Sequence, residues 1–152
     1  MLEISNLSIE SALEAEGEIA TSTAGWSMYP MLRHRRDMVV IEKVNRKLKR
    51  NDVPVYRLKS GKIVMHRILK VTDKGYIIRG DNLLQKELNV TDDMIIGVLK
   101  SFYRNGKHYV CAESKKYKVY VAFNRITFPL RYAWKGWIRP FLKKCKHLVV
   151  KK

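Results

Sequence analysis

Between residues 37 and 113, short runs rich in Val, Ile and Tyr alternate with tight turn signals. This alternation limits the fold more than any other feature of the chain. The runs are Met38–Ile41, Val53–Leu58, Ile63–Leu69, Tyr76–Arg79, Ile95–Tyr103 and Tyr109–Ala112. Arg50-Asn51-Asp52, Ser60-Gly61, Asp73-Lys74-Gly75, Gly80-Asp81-Asn82 and Asn105-Gly106 separate them. Asn105-Gly106 predicts a two-residue hairpin turn, because both residues tolerate positive φ. Six short strands with close turns predict a mainly β domain with some α, built as a coiled β-sheet or partial barrel. RRDMVVI (35–41) and RNDVPVY (50–56) look alike, as two strands opened by an Asp turn would.

The chain has 152 residues, one domain's worth, and 46% of them are hydrophobic, enough to build a core. Cys111 and Cys145 are too few for a disulfide framework or a four-thiolate metal site. They are expected to be free thiols of a reducing compartment. Thirty-one Lys and Arg against 14 Asp and Glu give a net charge of +17. Such an excess points to an anionic partner. No run approaches the ~18 apolar residues of a membrane span. The longest uncharged run, Ile19–Leu32, is full of Ser, Thr and Gly. The acidic start has no basic leader region. The expected location is cytoplasmic, peripheral on the inner membrane face if the tail binds lipid.

The charge is uneven. Residues 1–32 hold five acids and no Lys or Arg. After Glu113 there are no acids, but there are twelve Lys and Arg and eight of the fifteen aromatic residues. This predicts three segments: an acidic N-terminal helix (1–19), a β domain (20–113) and a basic aromatic amphipathic tail (114–152). Ser8 can cap the first helix, with Ile9, Leu13 and Ile19 as a thin apolar stripe over residues 8–19 and the acids in solvent. In the tail, Leu130, Trp134, Trp137, Ile138, Phe141, Leu142, Cys145, Leu148 and Val149 recur at spacings of mostly three and four, so a helix is expected from Leu130. Pro140 should kink or interrupt it.

Three stretches can carry chemistry. In Gly25-Trp26-Ser27-Met28-Tyr29-Pro30-Met31-Leu32, a serine follows a flexible glycine and precedes a proline that restricts the backbone. Val64-Met65-His66-Arg67-Ile68 places a histidine in an apolar strand. Arg79-Gly80-Asp81-Asn82 puts an aspartate in a glycine turn. Taken singly these are a loop, a satisfied core or surface histidine and an Asp bonding its own turn. If the strands holding His66 and Tyr76–Arg79 form a hairpin, however, His66 and Asp81 lie at ends that can meet. Ser27, His66 and Asp81 would then be nucleophile, base and orienting carboxylate.

GWSMYPML (25–32), MHR (65–67) and RGDN (79–82) resemble, in order and spacing, the three boxes of type I signal peptidases, a clan that includes the self-cleaving repressor peptidases. The resemblance covers about residues 20–100. His66 in place of the usual bacterial Lys is similar to the archaeal and endoplasmic-reticulum branch. In that branch a second acid follows the third box, and Glu87 is the nearest candidate for a supporting acid. The resemblance implies a coiled β-sheet fold and a serine endopeptidase without a cofactor. Its Ser27 attacks a peptide carbonyl, His66 takes the proton, Asp81 orients the imidazole and the Ser27 N–H forms part of the oxyanion hole. It also implies a peptide or protein substrate bound as an extended strand near residues 62–66 or 22–26, with small side chains beside the scissile bond.

The chain departs from the family in four places. An acidic front of about 24 residues stands where signal peptidases carry a transmembrane anchor, so a leader or precursor peptide is the expected substrate. Gly25 stands where some members have a serine donor. Trp26 is bulkier than the usual residue, and Arg36-Asp37 replaces a structural Gly-Asp. The other reading of this fold is a non-catalytic module that binds peptide or nucleic acid. The tail has three readings: a membrane-surface helix with Trp134, Trp137, Arg139, Phe141, Lys143 and Lys144 at an anionic leaflet; a nucleic-acid device; or a helix packed on the domain. His34, His66, His108 and His147 with the two cysteines show no metal-ligand spacing.

Overall fold

The computed structural model describes residues 6–138. They are mainly β, in two antiparallel sheets, with two helices. The elements run α1 (Asn6–Glu16), β1 (Glu18–Ser22), β2 (Met38–Glu42), β3 (Pro54–Arg57), β4 (Ile63–Met65), β5 (Arg67–Thr72), β6 (Gly75–Arg79), β7 (Glu87–Val90), β8 (Ile95–Arg104), β9 (Lys107–Val110) and α2 (Lys115–Ala133). A short 3-10 turn, Asp92–Met94, precedes β8, and a π turn, Trp134–Ile138, follows α2.

The ten-residue β8 is the spine of the larger sheet, whose order is β1-β2-β8-β3-β4. One edge of β8 pairs with β2; the other pairs with β3 along its first part and with β9 beyond. The β8–β9 turn is Asn105-Gly106 at φ +51° and +71°, the expected turn for a two-residue hairpin. The smaller sheet has the order β5-β6-β7, with Arg67 opposite Arg79 in its first hairpin. A core of Leu48, Tyr56, Val64, Ile68, Tyr76, Ile78, Val90 and Val98 draws side chains from both sheets and joins them.

Two parts of the N-terminal expectation are corrected. The helix ends at Glu16, where the Gly17 N–H bonds back to the Leu13 carbonyl at 3.0 Å, and Ile19 belongs to β1. Ser8 lies inside the helix rather than before it. The apolar side of the helix packs inward and its acids stay in solvent. Ile9 and Leu13 are buried, each contributing about 2 kcal/mol. Glu10 pairs with Arg57 at 2.6 Å and Glu14 with Lys43 at 2.5 Å.

The run expected at 63–69 is two strands, with His66 between them. At that point the chain leaves one sheet for the other. The His66 N–H bonds the Pro54 carbonyl at 3.3 Å and the Ile68 N–H bonds the Asp52 carbonyl at 2.9 Å, so the crossing stays paired to the segment around β3.

Contacts divide the chain into two units, Met1–Lys118 and Val119–Lys152. The second helix begins well before Leu130. Ser114 caps it, its hydroxyl accepting from the Tyr117 N–H at 3.2 Å. The helix continues through Pro129, and the Thr127 hydroxyl and Arg131 guanidinium donate back to the Phe123 and Asn124 carbonyls, each at 2.8 Å. The helix positions beyond Ile138, including Arg139, Pro140, Phe141, Lys143 and Lys144, lie outside the described residues. No helix among the described residues is long and apolar enough to cross a membrane.

Candidate active site

Ser27 lies on a loop, residues 23–37, that returns from β1 to β2. Asp37 clamps its base. This buried carboxylate accepts from the Arg33 backbone at 2.9 Å and from the Arg33 guanidinium at 2.6 Å. The Thr23 hydroxyl donates to the Arg33 carbonyl at 2.9 Å. Met28, Met31 and Leu32 anchor the loop in the interior. Just before the serine, Gly25 takes φ +100°, a value side chains rarely allow, and its N–H bonds His34 Nδ1 at 2.8 Å. His34 in turn stacks on Trp26, with ring centres 5.6 Å apart. Trp26 therefore points outward, 59% exposed, and Ser27 is half-buried. Neither the hydroxyl nor the N–H of Ser27 has a hydrogen-bond partner among the described residues.

The turn after β6 holds this loop from the other side. The Asn82 N–H donates to the Ser27 carbonyl at 2.8 Å, and the Asn82 side-chain amide donates to the Trp26 carbonyl at 3.0 Å. The approach is close enough that a Cβ on Gly80 would lie 2.8 Å from the Ser27 carbonyl oxygen. A cleft lined by Thr23, Ala24, Gly25, Ser27, Met28, Leu32 and Met65 opens beside the serine. Its walls come from the loop that leaves β1 and from the last residue of β4; these two strands are the outer ones of the larger sheet.

His66, next to Met65, is 4% exposed. Its Nδ1 lies 3.0 Å from the Tyr56 hydroxyl and 3.3 Å from Glu87 Oε1. Burial lowers its pKa to about 4, against the opposing pull of the Asp81 charge. The imidazole is therefore neutral at pH 7; its hydrogen bond is with the Tyr56 hydroxyl, and Glu87 is a close polar contact rather than an ion pair. Burial also raises the Glu87 pKa.

Asp81 is buried in the Gly80 turn, near enough for its charge to act on His66. Both its oxygens are taken by Arg67, from Nε at 2.8 Å and from Nη2 at 2.7 Å. Arg67 is buried too. It also donates to the Tyr117 hydroxyl at 2.9 Å and to the Asn51 carbonyl at 3.1 Å. Burial opposes the Arg67 charge, but Asp81 and Tyr117 outweigh it and raise its pKa further.

The three stretches expected to carry chemistry thus converge, joined by the Asn82–Ser27 bond and the shared Ser27–Met65 cleft. No hydrogen bond links Ser27 to His66 among the described residues. The carboxylate at the imidazole Nδ1 is that of Glu87. Three partners were not foreseen: Tyr56, Arg67 and the Asn82 side chain. Arg67 had a signal, since a charge inside the apolar run 63–69 needs a buried counter-charge. Among the described residues no group of three His, Cys, Asp or Glu side chains is placed to hold a metal. Of the tail residues, Trp134 is 53% and Trp137 76% exposed. No protein-family model, curated protein or solved structure matches the chain.

Proposed function

We propose that this chain is a serine endopeptidase of the type I signal peptidase kind, acting on a leader or precursor peptide. The observation that carries the reading is the bond from the Asn82 N–H to the Ser27 carbonyl, because it ties the serine loop to the turn of the third box beside the buried His66. Ser27 is the nucleophile and His66 the base. When ionised, Glu87 can only accept, so its charge 3.3 Å from Nδ1 favours the imidazole proton there and leaves the Nε2 lone pair to take the Ser27 proton. As Oγ attacks the carbonyl carbon, negative charge grows on the carbonyl oxygen and the Ser27 N–H donates to it. Protonated His66 then gives its proton to the leaving amine, and water resolves the acyl-enzyme by the same route in reverse. Asp81 keeps the Gly80 turn in place through Arg67, and its charge favours the imidazolium that forms.

An extended peptide can add to the free edge of β4 or to the chain leaving β1, since both border the cleft. The cleft suits small side chains beside the cut. A second reading, a peptide-binding module without turnover, is favoured by the lack of a Ser27–His66 hydrogen bond. Catalytic hydrogen bonds often tighten only when substrate is bound, so this geometry is compatible with catalysis as well. Mass spectrometry of a peptide mixture incubated with wild type and with Ser27→Ala separates the two. Cuts made only by the wild type support the peptidase; binding without cuts, by folded protein, supports the module.

A further inference from the structure

We infer that the helical segment Val119–Ile138 docks on an anionic lipid surface, lying flat with one apolar stripe in the headgroup region. Val119, Phe123, Ile126, Leu130, Trp134 and Trp137 follow one another at spacings of three and four. The first four lie on α2, within an arc of about 60° on an ideal helix of 3.6 residues per turn, and Trp134 and Trp137 follow on the π turn. None is covered: Val119 is 69% exposed, Phe123 63%, Ile126 75%, Leu130 74%, Trp134 53% and Trp137 76%. A continuous exposed apolar stripe marks an interaction surface rather than ordinary surface scatter.

The charge around the stripe decides its occupant. This part of the chain has no acid, and exposed Lys116, Lys118 and Arg125 lie on the same helix. A second copy would bring like charges together, with +17 on each chain. Nucleic acid would satisfy the Lys and Arg, but the aliphatic Val119, Ile126 and Leu130 cannot stack on bases. An anionic leaflet satisfies both parts, taking the stripe into its acyl boundary and pairing the basic residues with headgroups. Trp134 and Trp137 are amphipathic rings of the kind that settle at that depth. The helix cannot cross the bilayer, so it lies along it.

The test is co-sedimentation of the full chain with phosphatidylcholine vesicles, with and without phosphatidylglycerol. Wild type should bind the anionic vesicles at least about tenfold more tightly than the neutral ones. The exposed-site pair Ile126→Glu with Leu130→Glu should weaken binding at least about tenfold, with thermal melting unchanged. A Lys116→Gln, Lys118→Gln, Arg125→Gln variant should lose the preference for anionic lipid. Equal binding to neutral vesicles, vesicle binding untouched by the glutamates, or tighter binding to a DNA oligonucleotide than to vesicles would each overturn the inference. So would a dimer, seen by sedimentation velocity and dissolved by the same glutamates, in protein that ignores vesicles.

Discussion

Arg67 holds Asp81 in a side-on fork, Nε to Oδ1 at 2.8 Å and Nη2 to Oδ2 at 2.7 Å, one residue along the chain from the buried His66. Both partners are almost fully buried, at 3% exposure each. Such a pair stabilises little against an apolar substitute, but breaking it leaves one charge uncompensated. Asp81→Asn should therefore cost about 3–5 kcal/mol, read from urea unfolding. Arg67→Met with Asp81→Asn should recover part of that loss. If Asp81→Asn unfolds at the wild-type urea midpoint, the pair is not buried as described.

The Gly80 turn and the Ser27 loop meet backbone to backbone. Gly80→Ala would place its Cβ 2.8 Å from the Ser27 carbonyl oxygen, and neither main chain can yield without moving the serine. The expected cost is about 1–3 kcal/mol of stability, with a fall in peptide cleavage beyond what unfolding explains. Asn82→Ala removes only the side-chain bond to the Trp26 carbonyl and should cost less, about 1 kcal/mol. Equal effects of the two changes would mean that the close approach at Gly80 does not set the serine's position.

The strands were legible in the sequence because their apolar runs end at residues with a turn chemistry of their own. Two strands were not. β1 reads EIATS, too polar to stand out, and is a strand because β2 lies beside it. β7 reads ELNV, with only Val90 buried, and is fixed by pairing to β6. In both cases a tertiary neighbour overrides a weak local preference. The candidate site was legible as three boxes and their order. The wiring was not, because which carboxylate meets the imidazole depends on the break at His66. That break turns Arg67 toward Asp81 and leaves Nδ1 facing Tyr56 and Glu87.

Glu87 is the carboxylate 3.3 Å from His66 Nδ1, so the peptidase reading makes a specific demand of it. Glu87→Gln can still accept a hydrogen bond but brings no charge to stabilise an imidazolium. The expected loss in kcat/KM is on the order of 10²–10⁴-fold, with the urea midpoint little changed. Tyr56→Phe should lose less, since a hydroxyl at 3.0 Å helps fix the ring without supplying charge. Cleavage unaffected by Glu87→Gln would return the orienting role to Asp81.

The pKa of His66 gives a pH dependence whose sign is fixed. Burial lowers it from 6.5 to about 4 in the folded chain. As pH falls below 6.5 the unfolded chain takes up this proton and the folded chain does not. Stability is therefore fully present above pH 6.5, is lost progressively down to about pH 4, and falls no further below that. The whole gap corresponds to roughly 3 kcal/mol. Glu87 acts in the opposite sense. Its raised folded pKa lets the folded chain take a proton first, so it restores part of the loss as pH falls toward 4.5. Urea midpoints at pH 7.5 and pH 5 should differ in the wild type and differ less in His66→Gln. Cleavage, which needs a neutral imidazole and an ionised Glu87, should persist just below pH 6.5 and be lost as these two groups take up protons at lower pH. Identical pH slopes in the two proteins would show that the folded chain does not hold His66 neutral, and the base would then titrate near 6.5 in the cleavage profile as well.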